Sequence, residues 1–149
     1  MTFEESIPMR LRRAYLTMHR VAQAHFARFD VTADQFVLLS LLAEEDGITQ
    51  SELADRMVSD ANTVTAMLKL LEQREYIRRV RCKIDGRARR VHLTAAGRRL
   101  ATKLIRSSEK LRLSIENAVT PAERKTFDAS LDLIVDVVTA KDNEEKKAG

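Results

Sequence analysis

The sequence has one cysteine, Cys82, two prolines, four glycines, no tryptophan and 5% aromatic residues. A single cysteine rules out an intrachain disulfide framework and fits a reducing cytoplasm. No apolar run approaches the ~18 residues that a membrane-spanning helix needs. The N-terminus, MTFEESIPMRLRR, has acids where a secretory signal needs a basic start and an apolar core. Catalytic signatures are also missing. There is no G-x-S-x-G, no glycine-rich loop to cradle phosphate, and there are only three histidines, His19, His25 and His92. His19 and His25 are six residues apart, a spacing that does not share a helix face. The expectation is therefore no enzyme, no metal site, no cofactor and no membrane, in a cytoplasmic protein.

What the chain does have is positive charge in one place. Between Arg78 and Arg90 stand seven cations (Arg78, Arg79, Arg81, Lys83, Arg87, Arg89 and Arg90) against one acid, Asp85. The net charge of the chain is only +4, so the rest of it sums to a negative value. Dense like charge favours a polyanionic partner.

The stretch from Thr49 to Arg90 explains how that charge is used. Thr49-Gln50-Ser51-Glu52 reads as a capping box opening a short helix that ends near Met57. Val58-Ser59-Asp60 makes a turn with two N-cap candidates. From Ala61 to Arg74, Val64, Met67, Leu68 and Leu71 recur at i, i+3, i+4 and i+7 and form a buried face. Asn62, Thr63, Thr65, Ala66 and Lys69 are left pointing outward. Two helices joined by three or four residues is the helix-turn-helix spacing, and the major groove admits such a helix. Tyr76 to Lys83 and Arg89 to Leu93 read as strands around a turn at Ile84–Arg87, a basic hairpin whose tip carries Arg87. Arg87 suits a narrow minor groove, where negative potential attracts guanidinium.

Around this stretch the chain is helical. Ile7 to Arg28 forms an amphipathic helix with Pro8 in its first turn and a stripe of Leu11, Tyr15, Met18, Ala22 and Phe26. Thr32-Ala33-Asp34-Gln35 is a capping box for a helix to about Glu45, apolar nearly all round and so central, with Gly47 as its stop. Thr94 opens a long helix bearing Leu100, Leu104, Ile105, Leu111 and Ile115. Thr120-Pro121-Ala122-Glu123 starts the last, with Phe127, Leu131, Ile134, Val135 and Val138. The tail KDNEEKKAG has little to bury and is expected to fray. The terminal helices flank the DNA-reading unit, so their stripes need another surface, and a second copy of the chain supplies one.

Taken in order and spacing, roughly Leu11 to Val138 resembles the MarR family of bacterial transcriptional regulators. The carrying segments are Gln50-Ser51-Glu52-Leu53-Ala54, Thr63-Val64-Thr65 with Leu71-Glu72, Asp85-Gly86-Arg87-Ala88-Arg89-Arg90, and Val91-His92-Leu93-Thr94-Ala95-Ala96-Gly97. The resemblance implies a mainly α fold with a small β-wing, a winged helix-turn-helix plus terminal dimerisation helices. One domain is expected over 1–149, with a DNA-binding region at 32–94, dimerisation helices at 7–30 and 95–140, and a frayed tail at 141–149. The implied protein is a homodimeric repressor, released from a pseudo-palindromic operator in double-stranded DNA by a small aromatic or phenolic ligand. The residues assigned to DNA are Gln50, Ser59, Asn62, Thr63, Thr65, Lys69, Arg78, Lys83, Arg87, Arg89 and Arg90. Those assigned to the ligand are Tyr15, His19, His25 and Phe29.

Three positions depart from the family pattern. Ala66 stands where relatives often have arginine. Glu75 replaces a glycine that ends the recognition helix at positive φ. Ala88 replaces an aspartate that pairs with a wing arginine, so the wing here carries more charge and a looser tip. Two other readings fit the residues: a winged-helix protein-interaction module, and a redox-responsive regulator in which Arg81 and Lys83 lower the pKa of Cys82.

Overall fold

The computed structural model describes Met1–Gly149. It is mostly helical, with six α-helices and a small three-stranded antiparallel sheet. The backbone divides into two compact units, Met1–Ser108 and Glu109–Gly149. No helix is long and apolar enough to cross a membrane.

The first unit begins with a 3-10 turn, Phe3–Glu5, and α1, Ile7–Ala27. Asp30 takes a positive φ of 56° after α1, so the chain reverses and the Val31 amide donates to the Phe26 carbonyl at 3.2 Å. The Thr32 capping box forms in full. Its Oγ1 accepts from the Gln35 amide, and Gln35 Oε1 accepts from the Thr32 amide, each at 3.0 Å. This start sets α2, Ala33–Glu44, whose Leu38, Leu39 and Leu42 are wholly buried. The uniform apolarity of α2 places it at the centre of the core, as expected of a helix without a polar face. The helix stops at Glu44, before Gly47. Gly47 instead takes φ 79° in the loop that follows and donates to the Val91 carbonyl.

That bond leads into β1, Ile48–Thr49, a two-residue strand with no local signature in the sequence. Next come α3, Gln50–Arg56, and α4, Ala61–Gln73, then β2, Ile77–Arg81, and β3, Arg89–Leu93. The sheet order is β1-β3-β2, with Ile48 opposite Val91 and Ile77 opposite Leu93. One face of the sheet buries Ile48, Ile77, Val91 and Leu93 against Leu53, Val64, Leu68 and Leu71 of α3 and α4.

The junction into α5, Ala95–Glu116, is tight. The Thr94 amide donates to the Tyr76 carbonyl, its hydroxyl donates to the Glu75 carbonyl, and its Oγ1 accepts from the Gly97 amide. A Cβ at Gly97 would lie 1.9 Å from the Tyr76 carbonyl oxygen, so only glycine lets this helix cross β2 so closely.

The second unit holds the end of α5 and α6, Pro121–Ala148. Thr120 caps α6 in a complete capping box with Glu123. The tail expected to fray is helical through Ala148. Its residues are mostly good helix formers, and Lys146 pairs with Asp142 one turn back at 2.6 Å.

Candidate nucleic-acid interface

The surface begins with the caps of α3 and α4. Thr49 Oγ1 accepts from the Glu52 amide at 3.2 Å, so half of the expected capping box forms; the Glu52 carboxylate turns instead to Arg56. Of the two N-cap candidates for α4, Asp60 takes the place, its Oδ1 accepting from the Thr63 amide at 2.8 Å and its Oδ2 from the Thr63 hydroxyl at 2.7 Å. These bonds hold the Asp60 carboxyl below the usual carboxylate range. The turn carries Val58 at φ 53°, an unusual conformation for a β-branched residue. Behind the helix, Val64, Leu68 and Leu71 are buried, whereas Asn62, Thr63, Thr65, Ala66 and Lys69 are exposed, the division expected from the spacing.

Just past the end of α4, Glu75 takes a φ of 62°, the left-handed turn that glycine would take without strain. Beyond it, Glu72 fixes the wing to α4. Its carboxylate accepts from the Arg79 backbone amide, Nε and a guanidinium N–H at 3.0–3.2 Å. The Arg79 guanidinium, with Arg89 contributing at longer range, keeps the Glu72 carboxyl below its ordinary value. Arg79 is thus spent inside the molecule, with its side chain 14% exposed.

The remaining cations sort by strand alternation. Arg81 and Arg89 face each other directly across the ladder, a like-charge pair that costs stability in the absence of an anion. Arg78 and Arg90 lie on the other face of the sheet with Val80 and His92, and Arg90 gives one guanidinium N–H to the Gly47 carbonyl at 2.8 Å. His92 Nδ1 lies 2.8 Å from Asp46, whose other oxygen accepts from the Leu93 amide, so the α2–β1 loop is tied to the wing. The wing tip is closed without an acid at Ala88: the Cys82 amide donates to the Ala88 carbonyl, the Ala88 amide to the Asp85 carbonyl, and the Arg87 amide to the Asp85 carboxylate. Lys83 is exposed in the same turn.

α3, α4 and the wing together line a cleft of about 640 Å³. It gathers Gln50, Ser59, Thr65, Arg87 and Arg89 from the residues expected at DNA. Asn62, Thr63, Lys69, Arg78, Lys83 and Arg90 do not line it. It also holds Ser51, Asp55 and Arg79, which the sequence reading left out. Ser51 was legible as part of the α3 start. Asp55 and Arg79 were not, because only the packing of α3 against the sheet brings them to the same wall.

The expected ligand residues form two groups rather than one. Tyr15 stacks on His19 with ring centroids 5.7 Å apart. Ten residues further along α1, about 15 Å of rise, His25 sits against Phe26 and Phe29 and shares a 2.9 Å hydrogen bond with Ser107. Lys103 lies over the Phe29 ring at 5.4 Å. Cys82 has its thiol pKa lowered, but by the backbone amides of Asp85 and Ile84 and then by Arg90, not by Arg81 and Lys83 as its sequence neighbours suggested.

Known proteins share this arrangement. Residues 31–88 match the model of the MarR family. The HTH-type transcriptional regulator TtmR of Methylorubrum extorquens is 33% identical over 93 residues, 60% of this chain and 48% of that protein. The HTH-type transcriptional regulator MgrA of Staphylococcus aureus is 29% identical over 86 residues, 58% of each. The chain thus spans about half the length of the curated relatives it matches. Among solved structures, S. aureus MepR in its DNA-binding conformation shares the fold, with a TM-score of 0.82 at 22% identity over 89% of this chain and 98% of that one. Bordetella bronchiseptica BpsR, whose DNA binding is regulated by 6-hydroxynicotinic acid, superposes with a TM-score of 0.80 at 26% identity over 91% and 97%. The two curated relatives are transcriptional regulators. On the family match over residues 31–88, the relatives and the fold together, the chain resembles the MarR family and has the fold of a winged helix-turn-helix protein.

Proposed function

We propose that this chain is a homodimeric, DNA-binding transcriptional regulator, acting as a repressor on a pseudo-palindromic operator. The observation that carries the reading is the cleft in which Gln50, Ser59 and Thr65 face Arg87 and Arg89. Polar hydrogen-bonding groups and unpaired guanidinium groups on one concave wall suit phosphate and groove edges together. The Arg81–Arg89 pair supports the same partner, since a polyanion relieves the repulsion between them. In this reading residues 32–94 bind DNA, with Asn62, Thr63 and Lys69 on the base side and Arg78, Lys83 and Arg90 on flanking backbone. Residues 7–30 and 95–140 join two copies. The helix α6 favours the dimer, because none of its residues is buried and, on the stripe Phe127, Leu131, Ile134 and Val138, the first and last are exposed and the middle two only half-buried. Two-fold symmetry then matches half-sites about one helical turn apart.

Release by a small aromatic or phenolic ligand is the regulatory part of the proposal, with Tyr15, His19, His25 and Phe29 as the candidate contacts. The ligand-regulated BpsR supports the class of molecule, and the His25–Phe29–Lys103 grouping supports an aromatic anion at that end of α1.

Arg87→Ala tests the core of the proposal. Each neutralised phosphate adds about −0.9 to the slope of log K against log salt, and Arg87 occurs twice in a dimer, so the variant should make that slope shallower by up to about 2. Fluorescence anisotropy on genomic fragments at several salt concentrations reads this directly. An unchanged slope removes Arg87 from DNA and leaves the protein-interaction module as the better reading.

A further inference from the structure

The outward stripe of α4 is chemically selective. On the side opposite Val64, Leu68 and Leu71 stand Asn62, Ala66, Lys69 and Gln73, at i, i+4, i+7 and i+11, all exposed. Thr65 turns aside into the cleft toward the wing, and Thr63 spends its hydroxyl proton on Asp60. A recognition helix meets base edges with its N-terminal turns. There this helix offers one free carboxamide and one methyl group, with no guanidinium and no carboxylate on the stripe.

We propose that α4 selects A·T pairs at the centre of each half-site, Asn62 reading an adenine and the Ala66 methyl packing on a thymine methyl. The inference rests on the DNA-binding reading above and adds the base class and the residues that choose it. A carboxamide donates and accepts in one plane, which matches the N6 donor and N7 acceptor of adenine. Guanine presents two acceptors at the same edge, and the amide oxygen would face O6 without a proton between them. Ala66 cannot hydrogen-bond. Over a G·C pair it would strip water from guanine O6 or cytosine N4 and return nothing, which is costly for a polar group. Over thymine it covers a methyl group and loses nothing.

The test uses the full chain and a randomised duplex library, selected at a salt concentration where binding is measurable. The expected product is a half-site with adenine and thymine under the first turns of α4. Asn62→Ala should then reduce the preference for adenine at one position per half-site by roughly 5- to 150-fold. Replacing the contacted thymine by deoxyuridine should weaken binding of the unaltered chain roughly fourfold for the methyl that is no longer buried. Ala66→Gly should be insensitive to that replacement, and Ala66→Arg should move the position toward guanine. Both sites are exposed, and circular dichroism checks that the variants fold. Selected half-sites with G·C at these positions, or an unaltered chain indifferent to deoxyuridine, overturn the inference while leaving DNA binding intact. Failure to bind any duplex at low salt overturns the DNA-binding reading itself, and this inference with it.

Discussion

The two compact units of this chain are made from similar proportions of apolar residues, yet only one has an interior. Met1–Ser108 buries seventeen hydrophobic side chains, thirteen of them at 2% exposure or less, including Leu38, Leu39, Leu42, Leu53, Leu68 and Leu104. Glu109–Gly149 buries none, although it carries Leu111, Ile115, Phe127, Leu131, Ile134 and Val138. Val135 and Val138 are more than 60% exposed. Closing a core takes elements from several directions. The first unit has helices on one side of a three-stranded sheet, whereas the second is two helical segments that can share only one mutual face. Apolar residues on α6 also occupy a second line, Leu133 and Val137, which a simple hairpin cannot use. Helices this long draw most of their stability from packing, so the first unit is a finished fold and the second leaves apolar surface uncovered.

The largest effect should come from cutting into the finished core. Leu39→Ala removes a wholly buried side chain and should cost about 2–5 kcal/mol in chemical denaturation, with a matching fall in Tm. A loss under about 1 kcal/mol would mean that α2 is not the centre of the unit. The matching cut in the other unit is Leu131→Asp. It should leave the far-UV signal of the winged helix in place while shifting sedimentation from dimer to monomer, since each large apolar group buried between copies contributes about 1.5–3 kcal/mol. If the variant remains dimeric at low micromolar concentration, the stripe on α6 is not the interface.

Smaller effects sharpen the comparison at the joint between α4 and the wing. Glu75→Gly relieves a left-handed φ of 62° and should stabilise the protein by about 0.5–1 kcal/mol, unlike most glycine substitutions. A destabilised Glu75→Gly would show that the side chain, not the turn, matters there. The smallest expected change concerns pH. The Glu72 carboxyl is held low by Arg79. A depressed carboxyl contributes stability that is present above the unfolded-state pKa of about 4.3 and is lost as pH falls through the folded-state value. Glu72→Gln should therefore flatten the stability curve below about pH 4.3 and leave its slope near pH 7 unchanged. A slope unaltered in acid would mean that the Glu72–Arg79 pair contributes nothing to holding the wing.

Much of this molecule was legible from local pattern. The capping residues at Thr32 and Thr120, the proline at the start of α6, and the 3.6-residue spacing of Val64, Leu68 and Leu71 each act within a few residues of chain, so they can be read before any fold is known. The same holds for the outward set from Asn62 to Lys69, whereas the positive φ at Glu75 was legible only through the family resemblance, in which glycine usually holds that position. The cation cluster was legible as charge but not as geometry. Arg79 and Arg90 look like their neighbours in the sequence, and only the pairing of β2 with β3 sends one to Glu72 and the other to Gly47.

The sequence by itself therefore determined the helices, their caps, the helix-turn-helix spacing and the sign of the charge on the wing, because all of these depend on residues within one or two turns of each other. Only the tertiary structure decided the rest. Strand β1 exists because Ile48 finds Val91, far along the chain. The cleft exists because α3, α4 and the wing converge. The thiol of Cys82 is tuned by the amides of its own turn and by Arg90 from the facing strand. Such contacts are set by which surfaces meet once the core has closed, and no short window of sequence contains both partners.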